Sequence, residues 1–207
     1  VWRLLGGAQN PVPAYVTFGL KQYSTDQLTE VATQLVAQGE KRLKMVVAVD
    51  PENPRVDAER VRAVRQAVGD DVELMIDANY LFSFNRALEL CKLVEPYCIT
   101  WFEEPVYQND AALLADLRRH TSIPVAAGQN EGHRFRHREL IANHAVDIAQ
   151  PNVCSVGGYT EAVKVAALAQ AFNLPIANGA GWPHHNMHLQ AGMANGWRVE
   201  FHFEMWG

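Results

Sequence analysis

The sequence predicts an α/β fold, a (β/α)8 barrel of the TIM type, and three observations predict it. Short β-rich apolar runs alternate with stretches of helical period along the whole chain. There are eight such runs, and successive units take roughly 22 to 30 residues each, as barrel units do. A doubly wound nucleotide-binding sheet would want Gly-x-Gly-x-x-Gly after its first strand, and Phe18-Gly19-Leu20-Lys21 offers nothing of that kind.

Taken in order, Val12–Phe18 is the first strand candidate. It leads through a cap at Ser24, Thr25 or Asp26 into a helix over Thr25–Gln38, whose Leu28, Val31 and Leu35 share one face. Leu43–Val49 precedes a helix over Asp57–Val68, Val72–Ile76 one over Phe84–Val94, and Ile99–Phe102 one over Asp110–His120. Pro124–Ala127 is followed by the basic run His133–Arg138, where a helix should begin and which reads as a solvated face. Val146–Ala149 precedes a helix over Tyr159–Phe172, Pro175–Ala177 a short helix around Met187–Met193, and Val199–Phe203 is the eighth strand. The closing helix after strand eight is expected to be absent from these residues, which read as a single catalytic barrel domain, 1–207. Trp101 and Trp197 fall at strand positions and read as core.

With 207 residues, 48% of them hydrophobic, the chain can bury a sizeable core. The 18 Lys and Arg against 23 Asp and Glu give a net charge of −5 without a basic block, which argues against nucleic acid as a partner. No apolar run approaches the roughly 18 residues of a membrane span, and Val1-Trp2-Arg3 does not open a signal peptide. Cys91, Cys98 and Cys154 are an odd, widely spaced set that fits a reduced, cytoplasmic setting.

Barrel chemistry sits at the C-terminal ends of the strands. Three consecutive strands end in acids or amides: Asp77-Ala78-Asn79, Glu103-Glu104-Pro105 and Gln129-Asn130-Glu131. Asp77, Glu103 and Gln129 recur at intervals of 26, so each holds the same place in its unit. Convergent carboxylates need a neutralising charge, and oxygen donors in a loose cluster suit a hard cation such as Mg²⁺. Acids that merely cap the next helix are the plainer alternative for any one of them. Lys44 lies inside an apolar strand and needs a charged partner, which the acid cluster supplies.

Ile76-Asp77-Ala78-Asn79, Trp101-Phe102-Glu103-Glu104-Pro105 and Pro124-Val125-Ala126-Ala127-Gly128-Gln129-Asn130 resemble the metal-ligand strands of the enolase superfamily, in its mandelate racemase and muconate lactonizing branch. Val1–Gly7 resembles the link from that family's N-terminal capping domain, which is not expected within this chain, and Ser155-Val156-Gly157-Gly158 resembles its sixth-strand Gly-Gly loop. The resemblance implies Mg²⁺-dependent abstraction of the proton α to a carboxylate, by way of an enediolate. Asp77 and Glu103 match the first two metal ligands; Gln129 stands where the family usually has Glu, with Glu131 as the alternative third ligand. Asn79 matches a position near the substrate, and Glu200 a strand-eight acid that serves as electrophile or proton donor. Lys44 matches the first Lys of the family's Lys-x-Lys, while Val46 replaces the second. Asn152 and Asn178 replace the family's Asp–His pair.

The segment Asn178–His188 then supplies what the strand ends lack. A Gly-rich loop holding His184, His185, His188 and Trp182 can bring imidazole over the site. His184 and His185 are the acid/base candidates beside Lys44 and Glu200, with Asn79, Asn178 and Trp182 as substrate contacts. Helix capping by these histidines is the alternative, and a zinc pair of His185 and His188 lacks further ligands at suitable spacing. His202 shares the strand parity of Glu200.

The leading expectation is a sugar-acid dehydratase, cofactor Mg²⁺, with racemisation or cycloisomerisation next. A non-catalytic metal- or carboxylate-binding relative is the rival from another class, and a Schiff-base aldolase on Lys44 a third. The expected partners are a small carboxylate substrate and further copies of the chain in a homo-oligomer, not nucleic acid or a membrane.

Overall fold

A computed structural model describes residues 1–203. Eight strands follow one another: β1 (Ala14–Phe18), β2 (Arg42–Val46), β3 (Glu73–Asp77), β4 (Ile99–Glu103), β5 (Val125–Ala127), β6 (Ile148–Ala149), β7 (Ile176–Ala177) and β8 (Gly196–His202). They pair in chain order as a closed barrel, and every recorded ladder is parallel, as the expected (β/α)8 fold requires. The helices are α1 (Thr25–Ala37), α2 (Pro54–Val68), α3 (Phe84–Val94), α4 (Ala111–His120), α5 (His133–Ala142), a single turn α6 (Val153–Val156), α7 (Tyr159–Ala171) and α8 (Pro183–Gly192). The end of the chain, where a closing helix would be sought, lies outside the described residues. Among the described residues no helix is long and apolar enough to cross a membrane.

The described residues divide into two compact units, 15–125 with 202–203, and 1–14 with 126–201. In the first, Ser24 and Gln27 close a reciprocal capping box on α1, so two of its orphan N-terminal donors are satisfied. Helix α2 starts at Pro54, three residues before the apolar periodicity begins, because proline at the first turn has its φ preset and lacks only an N–H that would be orphaned anyway. β2 stops at Val46 rather than Val49, since Ala48 turns into the left-handed region at φ 57°. Asn79, Tyr80 and Glu104 do the same just past β3 and β4. Left-handed non-glycine residues cost of order 1 kcal/mol each and gather where function holds the backbone. Arg65 is buried on α2, yet its guanidinium donates to the Gly69, Val72 and Tyr97 carbonyls at 2.8, 2.7 and 3.0 Å, which compensates its desolvation.

In the second unit, α5 is not the wholly solvated face that its arginines suggest. His137, Leu140 and Ile141 are buried along it. α8 is likewise longer than expected: it starts at Pro183, not near Met187, so His184, His185 and His188 lie on a helix rather than a loop.

Candidate active site

In the unit of residues 15–125, strand register brings the acids together. Val46 pairs with Asp77 and Asp77 with Glu103, so three strand ends stand level. The equal sequence intervals are thus realised as ladder neighbours. Lys44 lies two residues before Val46 on the same face, and its long side chain extends to the carboxylates. Its Nζ is 2.5 Å from Glu103 Oε1 and 3.2 Å from Asp77 Oδ2. All three are interior, with Lys44 and Glu103 at 0% exposure and Asp77 at 4%. One ammonium between two carboxylates leaves one net negative charge in a region of low dielectric. Asp77 Oδ1 also accepts from the Asn79 amide at 2.8 Å, a turn that sets its orientation and places half-buried Asn79 beside it. Glu103 Oε2 accepts from Trp101 Nε1 at 3.0 Å. The expectation for Trp101 was core alone; its shared parity with Glu103 was the signal that it also faces inward. Glu104 is turned away and accepts from Asn109 Nδ2 at 2.9 Å.

In the other unit, Gln129 is buried directly after β5, and Glu131 is ion-paired to Arg136 at 3.1 Å. His137 lies against this turn. Gly128 has φ 120°, and a Cβ there would come within 2.7 Å of His137 Cε1. Gly128→Ala is therefore expected to destabilise the protein by about 1–3 kcal/mol, through overpacking and a backbone conformation that alanine resists. Urea denaturation checks this, and a midpoint unchanged from wild type would refute it. Burial, with the positive charge of Arg136 adding to it, pushes the His137 imidazole down to about 4.

At the ends of β6, β7 and β8 stands a buried network of asparagine amides joined to Glu200. Asn152 Nδ2 donates to the Gly179 carbonyl at 2.7 Å, and its Oδ1 accepts from Asn186 Nδ2 at 3.1 Å. Asn178 Nδ2 donates to the Gly181 carbonyl at 2.9 Å while its Oδ1 accepts the Glu200 amide at 2.9 Å. Glu200 Oε2 accepts the Gly181 amide at 2.8 Å. Asn178 thus staples the loop to β8, a binding role at the backbone that its type alone did not reveal. Asn186, unremarked in the sequence, completes the staple by accepting from the Val153 amide at 2.9 Å. Ala180, Gly181 and Trp182 are all left-handed, at φ 58°, 69° and 56°, and so turn the chain into α8. Trp182 is left 58% exposed at the helix start, with His184 and His185 exposed on its first turn. Among the described residues no three His, Cys, Asp or Glu side chains gather into a metal-holding group. The donors that do meet are two carboxylates, and the equivalent place after β5 holds an amide.

Residues 27–206 match the enolase C-terminal domain-like family. The chain belongs to that family. This enolase-like barrel is 30% identical to arabinonate dehydratase of Saccharolobus solfataricus, over 98% of the chain and 55% of that protein. The 3,6-anhydro-D-galactonate cycloisomerase of Zobellia galactanivorans superposes with a TM-score of 0.89 at 34% identity, covering 98% of this chain and 57% of that one. L-Talarate dehydratase from Polaromonas sp. JS666, solved with Mg and L-glucarate, gives 0.90 at 32% identity, over 97% and 56%. The enolase-like chain therefore spans little more than half the length of these three relatives.

Proposed function

We propose that the protein is a Mg²⁺-dependent enzyme acting on acid sugars, most simply a dehydratase. The observation that carries this reading is the register-matched pair Asp77 and Glu103, buried and joined through Lys44. The donor set fits Mg²⁺. Asp77 accepts from the Asn79 amide and Lys44, and Glu103 from Lys44 and Trp101; two buried carboxylates offer the oxygen donors that a hard cation takes. Asp77 and Glu103 would hold the metal, and by the family resemblance Gln129, or Glu131 as the alternative, matches the third ligand. When bound, Mg²⁺ draws charge from a substrate carboxylate and so acidifies the neighbouring C–H bond.

The chain's own groups supply the rest. Lys44, held between two carboxylates, is placed to meet an anionic substrate group. Val46 beside Asp77 is apolar, and the acid/base candidates that the sequence offers are His184 and His185, exposed on α8. Glu200, oriented by the Gly181 amide, is the candidate acid, and Asn79 and Trp182 the substrate contacts. In dehydration the base takes the α-proton, the β-carbon–oxygen bond breaks, and the departing hydroxyl leaves as water with a proton from the acid. The resulting enol becomes a 2-keto acid.

The relatives' dehydratase and cycloisomerase activities support this class of chemistry. A non-catalytic carboxylate-binding relative is the second reading, favoured by the apolar Val46 beside the acids. A panel of aldonates and aldarates, incubated with Mg²⁺ and assayed for 2-keto products, separates them. Product formation that stops with chelator and with Asp77→Asn is expected. Turnover of none of the panel overturns the dehydratase assignment, and turnover indifferent to chelator overturns the metal.

A further inference from the structure

We propose that Trp101 is a positioning residue for the metal site, its indole N–H holding the carboxylate of Glu103 in the orientation that a divalent cation needs; the inference rests on the Mg²⁺ reading above. Trp101 is completely buried, and a buried indole must place its single donor. That donor goes to Glu103 Oε2 at 3.0 Å. The ring is braced by Tyr15, which meets it edge to face at 5.2 Å and 87°. The same Tyr15 ring carries the Lys44 ammonium at 5.3 Å, so one aromatic side chain supports Trp101 and Lys44, each of which grips Glu103. Phe102, between them on the strand, faces the other way and packs on Phe82 at 6.4 Å.

The two grips differ in charge. Lys44 is cationic and repels an incoming Mg²⁺, so its hold on Glu103 competes with metal binding. An indole N–H is neutral, donates only and cannot act as a ligand. Trp101 can therefore stay on Oε2 while the cation binds, fixing the carboxylate's rotation without opposing the metal's charge. Partners of this kind, one shell out from a ligand, are worth roughly 10- to 100-fold in metal affinity.

Calorimetric titration of MgCl2 into wild type, Trp101→Phe, and protein carrying 3-benzothienylalanine at position 101 tests this. The last keeps the indole's shape and lacks only the N–H. Both altered proteins are expected to bind Mg²⁺ at least about tenfold more weakly, with the benzothienyl protein melting within a few degrees of wild type. In wild type the ¹⁵N-labelled Trp101 indole signal, assigned by its loss in Trp101→Phe, is expected to move as Mg²⁺ is added. A benzothienyl protein that binds Mg²⁺ as tightly as wild type overturns the inference and leaves the metal reading intact, as does an indole signal that Mg²⁺ does not move. Wild type that binds no Mg²⁺ overturns both.

Discussion

Lys44→Met is expected to destabilise the protein by about 3–5 kcal/mol, because it removes a cation that two buried carboxylates share. For a chain of this size that is on the order of 10 °C in Tm. The methionine fills much the same volume, so the loss is electrostatic rather than a cavity effect. Asp77 and Glu103 would then face each other across one ladder pair with no ammonium to share. Millimolar Mg²⁺ is expected to return part of the lost stability to Lys44→Met, by restoring a positive charge to the pair, and to raise wild type by less. Activity should fall as well, since the group proposed to meet the substrate is gone. Differential scanning calorimetry with and without Mg²⁺ reads the effect. A methionine variant that melts with wild type in chelator would show that the buried pair does not depend on Lys44.

Asp57→Asn is expected to change how stability depends on pH. Asp57 is buried on α2 and its Oδ1 accepts the Val49 amide at 3.2 Å. Burial raises its carboxyl to about 6, only partly offset by the Val49 amide and by Arg60. Below about pH 4 the folded and unfolded chains both hold this proton, and Asp57 contributes no penalty. Between about 4 and 6 the unfolded chain releases the proton that the folded chain keeps, so stability falls as pH rises. Above about 6 the full cost remains, on the order of 3 kcal/mol. His137 acts in the opposite sense: the unfolded imidazole is protonated below its usual value, the folded one only near 4, so its share of stability rises with pH across almost the same window. Wild type should therefore be nearly level between pH 4 and 6.5 with respect to these two groups. Relative to wild type, Asp57→Asn should gain on the order of 3 kcal/mol over that interval whatever its offset at pH 4. Urea denaturation at several pH values measures it, and parallel curves for the two proteins would refute it.

Which features were legible follows from how local their causes are. The alternation of apolar runs and helical periods needs only the chain's own pattern, and all eight strands overlap those runs, although β2 ends three residues early where Ala48 turns and β8 begins three residues early at Gly196. The carboxylates were legible because equal spacing in a parallel sheet maps onto equal register, so Asp77 and Glu103 had to be neighbours. Lys44 was legible as a residue in need of a partner, and the partner was the one expected. The start of α8 was not, since Gly-Ala-Gly-Trp reads as loop and only Pro183 at the first helical position gives the boundary away. The buried His137 is hidden within a run of arginines, and only the folded turn after β5 brings it against Gly128, which leaves it room.

By itself, then, the sequence determined the architecture, the level of the acids on their strands and the family. Only the tertiary structure decided what those acids touch: that Lys44 bridges both, that Trp101 donates to Glu103, and that Asn152, Asn178 and Asn186 are spent on holding a loop. The physical reason is range. Periodicity and register are properties of neighbours along a chain and across one ladder, whereas a buried donor finds its acceptor only after strands distant in sequence have packed and water has gone.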